Sequence, residues 1–154
     1  MTNSDLQQLS KDFFQNSLDS SPTSAIMRGH KQYFDQIEEL NEETFEKETK
    51  AVNDFISRLE SIDSESLSNR EKVTHGMLEF ALSSNKDSLM DRSWEFGAGV
   101  SGFTGFLIDY NQQMFVPDSE SADMLLKRLE LYKRLFTQIA DVQMIGLKNN
   151  RVAT

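Results

Sequence analysis

The stretch Phe96 to Gly105 reads F-G-A-G-V-S-G-F-T-G, and Gly97, Gly99 and Gly102 stand at the G-x-G-x-x-G spacing that cradles a dinucleotide pyrophosphate. Its reading decides the fold. A phosphate loop requires a strand before it and a helix after it, with the helix amides facing phosphate, so it would place the chain among parallel-sheet proteins. The residues that precede it, M-D-R-S-W-E-F, carry Asp91, Arg92 and Glu95 and have no strand pattern. An acid about twenty residues on is represented only by candidates such as Asp118, which follows Pro117 in a turn-like stretch. The glycines, with Gly105, are therefore read as places where the backbone turns or approaches another element closely.

Working outward, the periodicity is helical. Leu6, Leu9, Phe13, Phe14 and Leu18 line one face of a helix from about Ser4 to Leu18. Ser21 and Pro22 suit the cap and first residue of a short helix that Gly29 ends, leaving His30, Tyr33 and Phe34 in a short link. A second long helix is predicted over 42–59, with Asn41 as its cap and Phe45, Val52, Phe55, Ile56 and Leu59 as its buried stripe. Ser68 and Glu71 have the form of a capping box, and Val73, Met77, Phe80 and Ala81 give the apolar face of a third helix reaching Leu89 or Met90. Beyond Pro117, Ser119 can cap a helix whose stripe runs through Ala122, Leu125, Leu126, Leu129, Tyr132, Phe136, Ile139, Ala140 and Val142 to Gly146, with or without a break near Glu130. The segment between Asp91 and Pro117 lacks that period. The prediction is an all-α, irregular single domain over 1–154, with four or five main helices and a glycine- and aromatic-rich connecting segment.

Composition narrows the function classes. The chain has 154 residues, no cysteine, 38% hydrophobic residues and a formal charge of −9. No cysteine means no disulfide, thiolate metal ligand or cysteine nucleophile. The acidic total repels phosphate and argues against nucleic-acid or anionic-membrane binding. Charge is uneven along the chain: Asp35 to Lys72 has twelve acids against five bases, whereas Leu125 to Thr154 has six bases against two acids. That asymmetry suits internal docking or a paired subunit. Neither a basic leader with an apolar run nor a membrane span is present, so the chain as written reads as cytoplasmic, or as secreted if a leader has been removed.

Candidate chemistry is sparse. Gly99 and Ser101 match the start of the G-x-S-x-G nucleophile elbow, but Phe103 stands at its last position, and His30 and His75 follow no triad order. His75 and Glu79, one helical turn apart and with Glu71 a turn earlier, could supply two metal ligands; catalytic zinc takes three and an open position. The acidic run Glu38, Glu39, Glu42 and Glu43 is read as a solvated face, and Lys127, Arg128, Lys133 and Arg134 as two basic pairs on the last helix. Trp94, Phe96, Phe103, Phe106, Tyr110 and Phe115 either line a ligand cleft together with Gly97, Gly99, Gly102 and Gly105 or pack as core.

Several stretches together carry a resemblance. They are L-S-K-D-F-F at Leu9, S-P-T-S-A-I-M-R-G-H at Ser21 with Tyr33, L-E-S-I-D-S-E-S-L-S at Leu59, the glycine-rich middle, S-A-D-M-L-L-K-R-L at Ser121 and Q-M-I-G-L at Gln143. In this order they resemble the N-terminal region of a large bacterial family catalogued as domain of unknown function 885. That resemblance implies an all-helical metallopeptidase relative whose H-E-x-x-H zinc motif lies later in a longer chain. No H-E-x-x-H occurs here, so the resemblance transfers no catalytic residue to this chain, and zinc would belong to a full-length relative. It implies a noncatalytic scaffold or cleft wall that works with a missing C-terminal catalytic segment or another chain. An independent helical interaction module, including a homo-oligomer, is the alternative, and a small metal-dependent hydrolase built on His75 and Glu79 the remote one.

Overall fold

The computed structural model describes residues 3–96, 110 and 116–151. Five α-helices and three short 3-10 turns are found among them, and no strand. In chain order the helices are α1 (Asn3–Ser20), α2 (Pro22–Met27), α3 (Glu42–Glu60), α4 (Asn69–Met90) and α5 (Ser119–Lys148); the turns are Lys31–Tyr33, Ser64–Ser66 and Ser93–Phe96. The all-helical expectation holds, and the described residues divide into two compact units.

The first unit comprises residues 1–17 and 42–92. Its core joins Leu6 and Leu9 of α1, Val52, Phe55 and Leu59 of α3, Ile62, and Leu78 and Leu82 of α4. Phe13 meets the Phe55 ring edge-on at 5.7 Å, a geometry that aligns the positive edge of one ring with the negative face of the other. Arg58 lies over the Phe55 ring at 5.6 Å and pairs with Asp12. The capping box is present: the Ser68 N–H donates to Glu71 at 2.8 Å, which satisfies a donor the helix leaves without a partner. α4 then continues through Ser83, Ser84 and Asn85 without a break.

Which face of α4 turns inward differs from the prediction. Leu78 and Leu82 are buried, whereas Val73, Met77 and Phe80 are exposed, Phe80 at 78%. α4 is apolar on two sides, so spacing alone picks out two stripes and does not say which meets the core.

The second unit comprises residues 18–41 and 93–154. Ser21 and Pro22 start α2 as predicted, and Gly29 ends it in the left-handed region at φ +89°. There the His30 N–H returns to the Ala25 carbonyl at 3.1 Å and the Gly29 N–H to that of Ile26 at 2.8 Å, the paired bonds of a glycine-closed helix end. Tyr33 and Phe34 are core residues, packed with Leu18, Ala25, Ile26 and Tyr110. α5 is continuous across Glu130, and its cap is Asp118, not Ser119: the Asp118 carboxylate accepts from the Ser121 N–H at 2.8 Å. Tyr132, Leu135 and Ile139 of α5 form a further core with Ile37. Leu126, Leu129 and Phe136, predicted on the inward stripe, are exposed.

Gly146 marks where α5 seats against the Ser93–Phe96 turn. A Cβ there would stand 2.5 Å from the Glu95 carbonyl oxygen, so only glycine allows the approach. The Glu95 side chain is buried at this junction and meets the Arg151 guanidinium at 3.4 Å and the Asn149 amide at 3.4 Å.

Candidate functional site

The chemically richest interior lies in the second unit. Pro22 sets the backbone at the start of α2, so that Thr23 presents both its N–H and its hydroxyl to one carboxylate. The Thr23 N–H donates to Glu38 Oε1 at 2.9 Å, and its hydroxyl donates to Glu38 Oε2 at 2.7 Å. Arg128 of α5, 0% exposed, donates to the Thr23 hydroxyl oxygen and to the Gln36 carbonyl. The Thr23 hydroxyl thus gives its one proton to the anion and a lone pair to the cation.

Tyr110 completes the surroundings. Its ring lies 5.9 Å from the Arg128 guanidinium carbon, within cation–π range. Burial pushes the phenol up to about 12; the Arg128 charge opposes this, and Tyr132 and Glu38 add to it. The phenol is therefore neutral at physiological pH. A buried cation and a buried carboxylate joined through one hydroxyl neutralise each other where water cannot. The arrangement ties α2, the segment 36–38 and α5 into one piece; as described it aligns no nucleophile with a base.

Two sequence expectations are corrected here. Glu38 is 4% exposed and is not part of a solvated acidic face; Glu39 beside it points outward, pairing with Arg134 at 2.8 Å. Arg128 is the largest fully buried side chain among the described residues and so does not form a basic pair with the exposed Lys127. The available signal was Pro22-Thr23 ahead of an acidic pair flanked by Ile37 and Leu40, which leaves the partner unspecified.

The other candidates are dispersed. Trp94 is half-buried in the turn before α5's docking point, and Phe96 ends that turn. Gly97, Gly99, Ser101, Gly102, Phe103, Gly105, Phe106 and Phe115 lie outside the described residues. His75 and Glu79 sit on α4, half-buried and exposed respectively. Among the described residues no three His, Asp or Glu side chains converge as a metal site needs, so the donors at His75 do not fit zinc. A half-open cleft of about 610 Å³ in the first unit is lined by α1 and the start of α4, including Ser10, Lys11, Arg70, Glu71 and Thr74. Its walls carry both charge signs. Among the described residues no helix is long and apolar enough to cross a membrane.

An all-helical protein with a buried Arg–Thr–Glu hydrogen-bond chain and exposed apolar rows on two long helices is the class these features define. Residues 22–154 match the family described as bacterial protein of unknown function, DUF885, and the chain belongs to that family. No curated protein and no solved structure matches the chain.

Proposed function

We propose that the chain is a noncatalytic scaffold of a metallopeptidase-like protein, forming one wall of a cleft whose catalytic groups lie on another segment or another chain. The observation that carries this reading is the outer face of α5. Leu126, Leu129, Phe136, Met144 and Leu147 are all exposed, and their spacing of three, seven, eight and three keeps them within one narrow stripe. The stripe runs for about 30 Å at 1.5 Å per residue. The inner face of the same helix is occupied by Arg128, Leu135, Ile139, Val142 and Gly146. A helix apolar on both sides and anchored on one is suited to stand between two bodies, and an exposed apolar row of this length marks an interaction surface. Membership of the family is shown over residues 22–154; the choice of a catalytic lobe as the occupant rests on the resemblance of that family to helical metallopeptidases.

The test is the metal content and peptidase activity of the purified chain. The reading expects neither stoichiometric zinc nor hydrolysis of a peptide library by the chain alone. One zinc per chain that is lost on His75→Ala would overturn it in favour of a small hydrolase.

A further inference from the structure

The outer row of α5 has the repeat of a coiled-coil seam, with one charge in it. Lys133 and Ala140 are exposed on the same stripe as the apolar residues of the row. With them the row advances from Leu126 to Leu147 in steps of three or four residues that average about 3.5. Seven residues per two turns keep one face of a helix against a companion helix along its whole length, through a slight left-handed crossing. Sizes alternate as such packing needs: Ala140, between Phe136 and Met144, leaves a hole for a knob of the companion.

Lys133 is the single charge of this row. It stands between Leu129 and Phe136 and makes no ion pair among the described residues. Arg134, the next residue, lies on the flank and pairs with Glu39 at 2.8 Å, and Glu130 is about 60° around the helix from Lys133. An apolar helix seated on the row strips water from the lysine, so a lone lysine in the seam costs stability unless an acid faces it. That cost is also selective, because it falls on every helix that lacks a correctly placed acid. We infer that the row receives one helix of about 20 residues, apolar at the same repeat, and that this helix carries an aspartate or glutamate opposite Lys133 that sets its register. The inference rests on the reading of α5 as the docking surface of a catalytic lobe and states which element of that lobe makes the contact.

Calorimetry with three synthetic amphipathic helices of about 24 residues, long enough to cover the row, tests it. The peptides share one leucine stripe of about 3.5 repeat and differ only in the central stripe residue, which is Glu, Gln or Lys. Circular dichroism verifies that the peptides and each protein variant are helical. The Glu peptide should bind the wild-type chain about 10-fold tighter than the Lys peptide, with the Gln peptide between them. Lys133→Glu should invert that order, and Phe136→Glu should weaken all three. An order that Lys133→Glu leaves as it was would overturn the charge pairing. A chain that binds none of the peptides would overturn the single helix; if that chain still takes up the later segment of a longer family member through Phe136, the scaffold reading survives. A row occupied by a second copy, seen as a Phe136-dependent dimer in sedimentation velocity, would overturn both.

Discussion

The Thr23 hydroxyl donates to Glu38 at 2.7 Å in an interior where Glu38 is 4% exposed, and the same oxygen accepts from the fully buried Arg128. One small side chain thereby holds two opposite charges out of water. Thr23→Val keeps the shape and removes the link, leaving a carboxylate oxygen and a guanidinium N–H without their partner. The expected loss is about 2 to 4 kcal/mol, the range for a buried hydrogen bond to charged groups. Urea unfolding checks it; a loss below about 0.5 kcal/mol would show that the charges find other partners.

Two glycines predict opposite signs for one substitution. At Gly146 an added Cβ meets the Glu95 carbonyl oxygen at 2.5 Å and the Arg151 carbonyl oxygen at 3.1 Å, both backbone atoms. Gly146→Ala should destabilise by about 1 to 3 kcal/mol despite alanine's helix preference, because the seat of α5 must shift. At Gly76 the added methyl meets open space, and Gly76→Ala should stabilise the chain by up to about 1 kcal/mol. Thermal melts of the two variants separate them.

Acid sensitivity follows from three carboxylates held below their ordinary range. Asp12 is lowered first by the hydrogen bond from Arg58 and then by that from Gln8, Glu71 by the Ser68 hydroxyl and N–H, and Asp118 by the Ser121 side chain and N–H. Each has a folded value below its unfolded one, so its contribution is present above the ordinary values of 3.8 for the aspartates and 4.5 for the glutamate. It is lost as pH falls through the lower folded values, where the folded state must take up protons that the unfolded chain already holds. The urea midpoint should therefore fall below about pH 4, and the acid limb should flatten in a D12N/E71Q/D118N variant. An identical acid limb in wild type and variant would contradict the assignment.

Most helix ends and the inner faces of α1 and α3 were legible in the sequence, whereas the inner face of α4 and part of that of α5 were not. Pro22, Gly29 and the Ser68–Glu71 box act within a turn of their own position, so their effect can be read locally. The burial of Val73, Met77 and Phe80 could not be, because α4 is apolar on two sides and only packing of Leu78 and Leu82 against α3 selects one. Glu38 looked solvated among its acidic neighbours because its partners lie 15 residues before it and, through Thr23, 105 residues further along at Arg128. Arg128 and Lys127 are adjacent in sequence but about 100° apart around α5, which puts one inside and the other out. The glycine and aromatic candidates from Gly97 to Phe106 lie outside the described residues, so the choice between cleft lining and core packing for them is not decided by the described structure.

The central claim is that the outer row of α5 receives a catalytic lobe. It is tested most directly by titrating the purified chain with the later segment of a longer family member, where the resemblance implies an H-E-x-x-H motif, and following binding by calorimetry, for wild type and for Phe136→Glu. The account predicts a 1:1 complex whose affinity drops by about 30-fold or more in the variant, since Phe136 stands in the middle of the exposed row. Absence of any complex with the wild-type chain, or binding that Phe136→Glu leaves unchanged, would contradict it.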